Sequence, residues 1–538
     1  MGILALSRPL RLKRPDALTV VALLLAAMVL MPLLVLGLSW LGDESDIWRH
    51  LASTVLAGLL TNTVVLILGV GVGVLFLGVS LAWLVATTEF PGRRFFDWAL
   101  LLPLAVPAYV LAFVMLDLFD YAGPVQGALR NGLPFFDGGS VRRPWMVVLT
   151  FSLVFYPYVY MLARTAFMAQ GRTLMEQARI LGLSSSGAFW RVALPMARPA
   201  IAAGLALALM ETLADFGAVA VFNYDTFTTA IYKSWYGMFN LNAAAQLASL
   251  LLLFVLLTLV LEQMGRGRAR YESGAKRLRR VKLTFWRRWL FAGYAGAVFA
   301  MAFAIPVGRL LFQVLDTAWQ DFDSRYFGLV WRTLLLAGGA ALVTVSLAVL
   351  LGYVRRTRQY PLVQVAVRTA TVGYAMPGSV LAVGIMLSFA AIDRWLGTVI
   401  GIGPILVGGL LALVMAYTVR FLAVAYGPVD AAFEQVRPRL IDAARTLGAS
   451  PSETARRVWL PLLRPGVMAA FLLVLIDVMK EMPATLLLRP FGWDTLAVRI
   501  YEMTAEGEWA RAALPSLTLV LVGLVPVYLL MKRMRAPA

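Results

Sequence analysis

Apolar runs of about twenty residues recur from one end of this chain to the other, each long enough to cross a hydrocarbon core of roughly 30 Å. No other feature of the sequence constrains the fold so strongly. Inside a bilayer every backbone N–H and C=O must be satisfied without water, which leaves helices or closed barrels. Barrel strands alternate apolar and polar residues, and these runs do not. The expectation is an all-α polytopic membrane protein. Its charged share, 14%, is well below the roughly 25% of a soluble domain.

Twelve spans are expected, at 17–41, 55–87, 98–118, 145–169, 197–222 and 243–264, then at 289–315, 332–354, 365–391, 403–428, 465–488 and 513–531. The N-terminus opens like a secretory signal. Its apolar part outruns the roughly 7–15 residues of a signal h-region, and no A-x-A site follows, so it reads as a first span left in place.

The net charge is +19, but the basic residues cluster between spans. Positive-inside topology accounts for them better than nucleic acid does. Arg8, Arg11, Lys13 and Arg14 precede the first span, and Lys532, Arg533 and Arg535 follow the last, so both termini are expected in the cytoplasm. The stretch "GRGRARYESGAKRLRRVKLTFWRR", 265–288, reads as a cytoplasmic linker between a first half, 1–264, and a second, 289–538. Acids gather on the other side, among them Asp43, Asp46, Asp117, Asp120, Asp321 and Asp323. Cysteine is absent and His50 is the sole histidine, which excludes disulfides, thiol catalysis and His-rich metal sites.

The halves are an internal repeat. "EQARILGLSSSGAFWRVALPMARPAI" (176–201) returns as "DAARTLGASPSETARRVWLPLLRPGV" (442–467), with Gly182 on Gly448, Pro195 on Pro461 and Pro199 on Pro465, each pair 266 residues apart. Upstream, Pro91 and Pro107 match Pro361 and Pro377 at a spacing of 270. An even number of spans per copy makes the copies parallel, around a pseudo-two-fold axis along the membrane normal.

Each repeated segment (171–199 and 437–465) follows a fourth span and reads as helix, turn, helix. Ser450, Pro451 and Glu453 form a capping-box pattern with proline at the first helical position. Ser184 is the equivalent cap, with Gly187 in place of the glutamate. Leu194-Pro195 and Leu460-Pro461 are expected to end or bend the second helix. Two amphipathic helices lying on the bilayer are the plainer reading. They do not require a glycine and two prolines at fixed offsets in both copies.

These segments resemble the cytoplasmic EAA loop of binding-protein-dependent ABC importer permeases: acid–x–A, then L–G, then L–P. Glu176, Ala178, Gly182, Leu194 and Pro195 carry the pattern first; Asp442, Ala444, Gly448, Leu460 and Pro461 carry it again. Gln177 replaces the motif's first alanine, and Asp442 its glutamate. In that family the loop is a coupling helix that docks on an ATPase subunit. Two loops in one chain resemble the fused permeases, which implies a type I importer fold of two parallel six-helix repeats. Segments 211–240 and 477–503 look most like ferric-iron permeases, with thiamine, polyamine and sulfate permeases as relatives. The resemblance implies two copies of an ATPase subunit, a soluble substrate-binding protein on the outer face, Fe3+ as cargo and a bacterial cytoplasmic membrane. It implies no cofactor on this chain, with ATP and Mg on the partner ATPase. The sequence agrees, since Lys233-Ser234 lacks the glycine frame of a phosphate-binding loop.

The fifth span of each half carries acids. Glu211 and Asp215 map onto Asp477 and Glu481 at the 266 spacing. Ionisable residues inside a span mark a substrate path or a structural ion pair. Both readings stand, with Lys480 the local cation in the second copy alone. As a path, each i, i+4 pair on one helical face would offer hard cations transient carboxylate ligands. Segments 222–242 and 489–511, with Tyr236 and Trp509, are expected outside, either meeting the binding protein or serving as interfacial aromatic anchors. A twelve-helix secondary transporter shares the span count and duplication but does not require the paired loops.

Overall fold

The computed structural model describes residues 16–42, 45–132, 139–170, 178, 180–266, 281–282, 284–358, 360–401 and 403–535. Glu176, Gln177 and most of the basic linker lie outside the described residues, as do Arg8, Arg11, Lys13 and Arg14.

The first half comprises α1 Ala17–Leu38, α2 Ser45–Thr54, α3 Leu56–Thr87, α4 Arg93–Ala99, α5 Ala108–Phe119 and α6 Pro124–Gly132, then α7 Pro144–Ala169, α8 Ser185–Ala188, α9 Leu194–Ala214, α10 Gly217–Val221, α11 Phe227–Tyr236 and α12 Leu241–Arg266. The second half comprises α13 Phe285–Phe299, α14 Ile305–Asp321, α15 Ser324–Thr357, α16 Pro361–Ala370, α17 Gly378–Ile400 and α18 Leu410–Gln435, then α19 Pro438–Thr446, α20 Pro451–Thr454, α21 Leu460–Lys480, α22 Pro483–Leu488, α23 Leu496–Ala505 and α24 Ala513–Arg535. Among the described residues, eleven helical spans are long and apolar enough to cross a membrane. The twelfth, α24, has the shorter apolar stretch Ala513–Val525.

The helix bounds repeat as the sequence does. α3 and α15 end 270 residues apart, at Thr87 and Thr357; α7 and α18, and α9 and α21, are the same lengths 266 apart. Within each half the core is the packing of these long helices, α3 on α7 and α9, and α15 on α18 and α21. Between halves the first spans cross over. α1 packs on α16 and α17, and its N-cap Asp16 pairs with Arg358 of the second half. In return, Arg309 on α14 reaches Asp117 on α5 at 2.6 Å. A two-residue parallel pair, Thr88–Glu89 with Val281–Lys282, ties the end of the linker to the end of α3.

The third and fifth spans depart from the sequence reading. Expected at 98–118 and 365–391, the third span is broken in both copies. A short helix, α4 or α16, leads through a 3-10 turn (Leu102–Ala105, Val372–Ala375) into α5 or α17, which start directly after Pro107 and Pro377. Proline lacks the N–H that would continue the first helix, and the residue before it is steered out of the α region. The fifth span, expected unbroken at 197–222 and 465–488, divides after Ala214 and after Lys480.

Candidate functional site

The repeated segments have the predicted turns. Gly182 and Gly448 have φ of +83° and +81°. Beside them, Leu183 N–H bonds the Ala178 carbonyl and Ala449 N–H the Ala444 carbonyl, both at 3.0 Å. This six-to-one bond around a left-handed residue is a Schellman helix end. The motif's alanine and glycine are therefore two ends of one turn. A Cβ on either glycine would meet nothing within 4 Å, so no neighbour excludes a side chain there and the constraint is the backbone angle alone. The caps also form: Ser450 Oγ accepts from Glu453 N–H at 3.2 Å, Glu453 Oε2 accepts from Ser450 N–H at 3.0 Å, and Ser184 Oγ accepts from Gly187 N–H at 3.1 Å.

Leu194-Pro195 and Leu460-Pro461 do not end the helix. A five-residue π turn, Phe189–Ala193 or Ala455–Trp459, precedes each, and the N–H of Leu194 bonds the Phe189 carbonyl five residues back, as Leu460 does Ala455. The wider turn makes room for a proline ring that would otherwise meet the carbonyl four residues behind it. The helix then runs on past Pro199 and Pro465 into the membrane. Aromatic side chains fix each segment to its own half one helical turn apart. Phe189 packs on Trp83 at 4.9 Å, while Trp459, whose first-half equivalent is Ala193, packs on Phe433 at 5.1 Å. The tips stay bare: Leu181 is 82% exposed and Leu447 88%. Asp442 is also exposed. The sequence reading carried these leucines only as part of the L–G pattern and gave them no role of their own.

All four predicted carboxylates meet at one place. Glu211 and Asp215, from the first half, and Asp477 and Glu481, from the second, line a single cavity of about 150 Å3 between the halves. They do not form i, i+4 pairs on one helical face. α9 stops at Ala214 and α21 at Lys480, so Asp215 and Glu481 sit in extended backbone. Each serves the helix that follows. Asp215 Oδ1 accepts from Ala218 N–H at 2.7 Å, and Glu481 Oε1 from Ala484 N–H at 3.1 Å. Broken helices at membrane depth are tolerated where they line a cavity, and here the negative ends of α9 and α21 reach it.

Two cations face the cavity. Lys480 donates to the Leu104 carbonyl at 3.0 Å, and Arg420 pairs with Glu481 at 3.3 Å with both side chains buried. Arg420 was missed from sequence, although an arginine inside "ALVMAYTVRFLAVAYG" was signal enough. Gly378 makes the pair possible, since a Cβ there would lie 2.2 Å from Glu481 Oε1 and 2.5 Å from Arg420 Nη1. Tyr374 donates its hydroxyl to Glu211 Oε1 at 2.6 Å across the halves. The Asp477 carboxylate makes no hydrogen bond to a described residue. Among the described residues, no three His, Cys, Asp or Glu are placed to hold a metal ion together. The arrangement is a polar chamber with four acids and two bases, suited to a small charged cargo and its water.

On the face opposite the repeated segments, α10 and α23 meet across the halves, with the rings of Phe216, just before α10, and Tyr501 5.3 Å apart. Tyr236 is 44% exposed, and Trp509 is half-buried. Phe239 and Phe491, in the same two segments but not named by the sequence reading, are far more exposed than either.

The family described as binding-protein-dependent transport system inner membrane component matches this chain twice, over residues 75–266 and 344–536. The Fe(3+)-transport system permease protein FbpB 2 of Haemophilus influenzae is 30% identical, over 89% of this chain and 90% of its own. The ferric transport system permease protein FbpB of Actinobacillus pleuropneumoniae is 23% identical over 82% of this chain and 66% of its own. A Salmonella typhimurium permease named for 2-aminoethylphosphonate transport is 30% identical over 44% of this chain and 90% of its own. A chain from the crystal structure of a bacterial alginate ABC transporter aligns at 16% identity and a TM-score of 0.37, over 46% of this chain and 95% of its own.

Proposed function

Because the chain belongs to the family of binding-protein-dependent transport system inner membrane components, as a fused permease with both halves in one polypeptide, we propose that it carries Fe3+ from a soluble binding protein into the cytoplasm. The observation that supports this cargo most is the single cavity between the halves, lined by four carboxylates at equivalent depths. A trivalent ion leaving water needs nearby negative charge, because its desolvation cost rises steeply with charge. Carboxylate oxygen is a ligand type that hard cations prefer. Two relatives named for iron transport, matched over 89% and 82% of this chain, point the same way. Contact with the acids is transient in this reading: the ion is cargo, not a resident group.

The work comes from a partner. Two copies of an ATPase subunit, holding ATP and Mg, dock on 171–199 and 437–465, where Leu181 and Leu447 supply the uncovered apolar tips. Closure of the ATPases moves the π-turn helices, which run from just after the docking turns, at Ser186 and Ser452, unbroken to the cavity. The halves then rock about the cavity in alternating access. Two cross-half bonds must break and re-form in that motion, Tyr374 to Glu211 and Lys480 to Leu104. The units are the halves 1–264 and 289–538 joined by 265–288. Both termini lie in the cytoplasm, and Phe239 and Phe491 stand on the outer face toward the binding protein.

A second reading rests on Arg420 and Lys480. Two bases in the chamber suit a cargo with an anionic group, and one relative is named for an aminophosphonate. Reconstitution with the ATPase and candidate binding proteins separates the two. Hydrolysis raised by iron-loaded binding protein supports Fe3+. Stimulation only by 2-aminoethylphosphonate, thiamine, a polyamine or sulfate overturns the cargo and leaves the permease standing.

A further inference from the structure

A crevice of about 440 Å3 opens in the second half between the end of α15, α16 and α18, where Arg355, Arg356, Gln364, Arg368 and Asp430 line it. Arg355 is committed: it pairs with Asp430 at 2.6 Å and donates to the Tyr426 hydroxyl at 3.0 Å. The guanidiniums of Arg356 and Arg368 make no ion pair or hydrogen bond to a described residue. Glu434, the other acid at the rim, is exposed and pairs with neither. Two guanidiniums from different helices thus line one crevice with neither paired to an acid among the described residues, which leaves both free to bind an anion.

The fold does not require this. At the equivalent positions the first half has Val85, Ala86, Trp98, Leu101 and Met168 in place of Arg355, Arg356, Arg368, Thr371 and Glu434. An arginine–carboxylate pair is kept there, but from other positions, Arg164 with Asp97 at 2.6 Å. The structural pair is therefore common to both halves, and the two free arginines are an addition confined to one.

The location selects the anion. Arg355 and Arg356 stand in the last turn of a membrane-spanning helix, on the face that carries the repeated segments. Leu362 and Val365 on α16 are exposed beside them, apolar surface that an acyl chain would cover. Basic pockets between helices at this level bind acidic headgroups. We propose that this crevice is a site for the phosphate of an anionic phospholipid, held by Arg356 and Arg368 with Gln364 beside them, and that the first half has no counterpart.

The test is native mass spectrometry of the chain released from nanodiscs of mixed phosphatidylglycerol and phosphatidylcholine. The unmodified chain should retain phosphatidylglycerol in excess. Arg356→Gln with Arg368→Gln should weaken that retention about 25-fold, at about fivefold per arginine. Arg94→Gln, at the first-half position matching Gln364, should leave it unchanged. No preference in the unmodified chain, or equal retention by the double variant, overturns the site. Inorganic phosphate or glycerol phosphate binding as tightly as the lipid, and displacing it, overturns the lipid as the source.

Discussion

At the depth of the cavity the two halves place acids at the same positions and answer them differently. The first half contributes Glu211 and Asp215 and no cation; where the second half has Arg420 and Lys480, it has Val154 and Ala214, both of which also line the chamber. Its Glu211 is met by the Tyr374 hydroxyl from the other half, at a position that is Leu104 in its own. Lys480 uses that same Leu104, through the carbonyl. Duplication fixed where the helices break, and later substitution decided the charge at each break. The path is two-fold in backbone and one-sided in chemistry.

The largest expected effect of that difference is on stability. Arg420→Gln leaves Glu481 buried without its partner and should cost about 3–5 kcal/mol. Glu211→Gln keeps an acceptor for Tyr374 and should cost about 1 kcal/mol or less. Thermal unfolding of the purified chain compares them, and equal losses would end the claim of one-sidedness. Next comes transport. Neutralising Glu211 and Asp215 together, or Asp477 and Glu481 together, removes the same formal charge from opposite sides. If total charge carries the ion, Fe3+ uptake should fall alike in both, by about tenfold or more, while binding-protein-stimulated ATPase survives, because each pK-scale unit of lost charge stabilisation is a factor of ten. A fall confined to one pair assigns the path to one wall, and joint loss of assembly and ATPase assigns the acids to structure.

The smallest effect should separate backbone from docking. Gly182→Ala and Gly448→Ala each force a side chain into a left-handed angle, at about 1–2 kcal/mol of local strain. The two φ values match within 2°, so the strain should be equal. Any difference in stimulated hydrolysis then reports on the neighbours that differ, Gln177 and Asp442 among them.

Much of this was legible without coordinates because membrane burial leaves few options. Span number, the parallel repeat and the turn glycines follow from apolar length, spacing and the left-handed angle. All four cavity acids were named from sequence. What escaped was the break beside Asp215 and Glu481: an acid four residues after another also fits an unbroken helix, and only Pro483 hints otherwise. Arg420 stood in view inside an apolar run, but its partner Glu481 did not, because tertiary pairing between spans has no signature in local spacing. The proline segments misled for a related reason. A π turn absorbs the proline without interrupting the helix, and which outcome wins depends on what the segment packs against, here Trp83 and Phe433.

The crossed first spans carry a cost measured in time. α1 leaves the ribosome first, yet the surfaces it packs on belong to α16 and α17, and its cap partner Arg358 lies 342 residues further along. At roughly 5–20 residues per second, that delay is on the order of 20–70 s. Through that interval α1 sits in the bilayer with lipid where helix should be, and Asp16 waits at the surface for its arginine. The first half therefore cannot reach its finished packing while it is the only half made, and a ribosome that stalls within the linker leaves an unfinished object for the membrane's proteases to recognise.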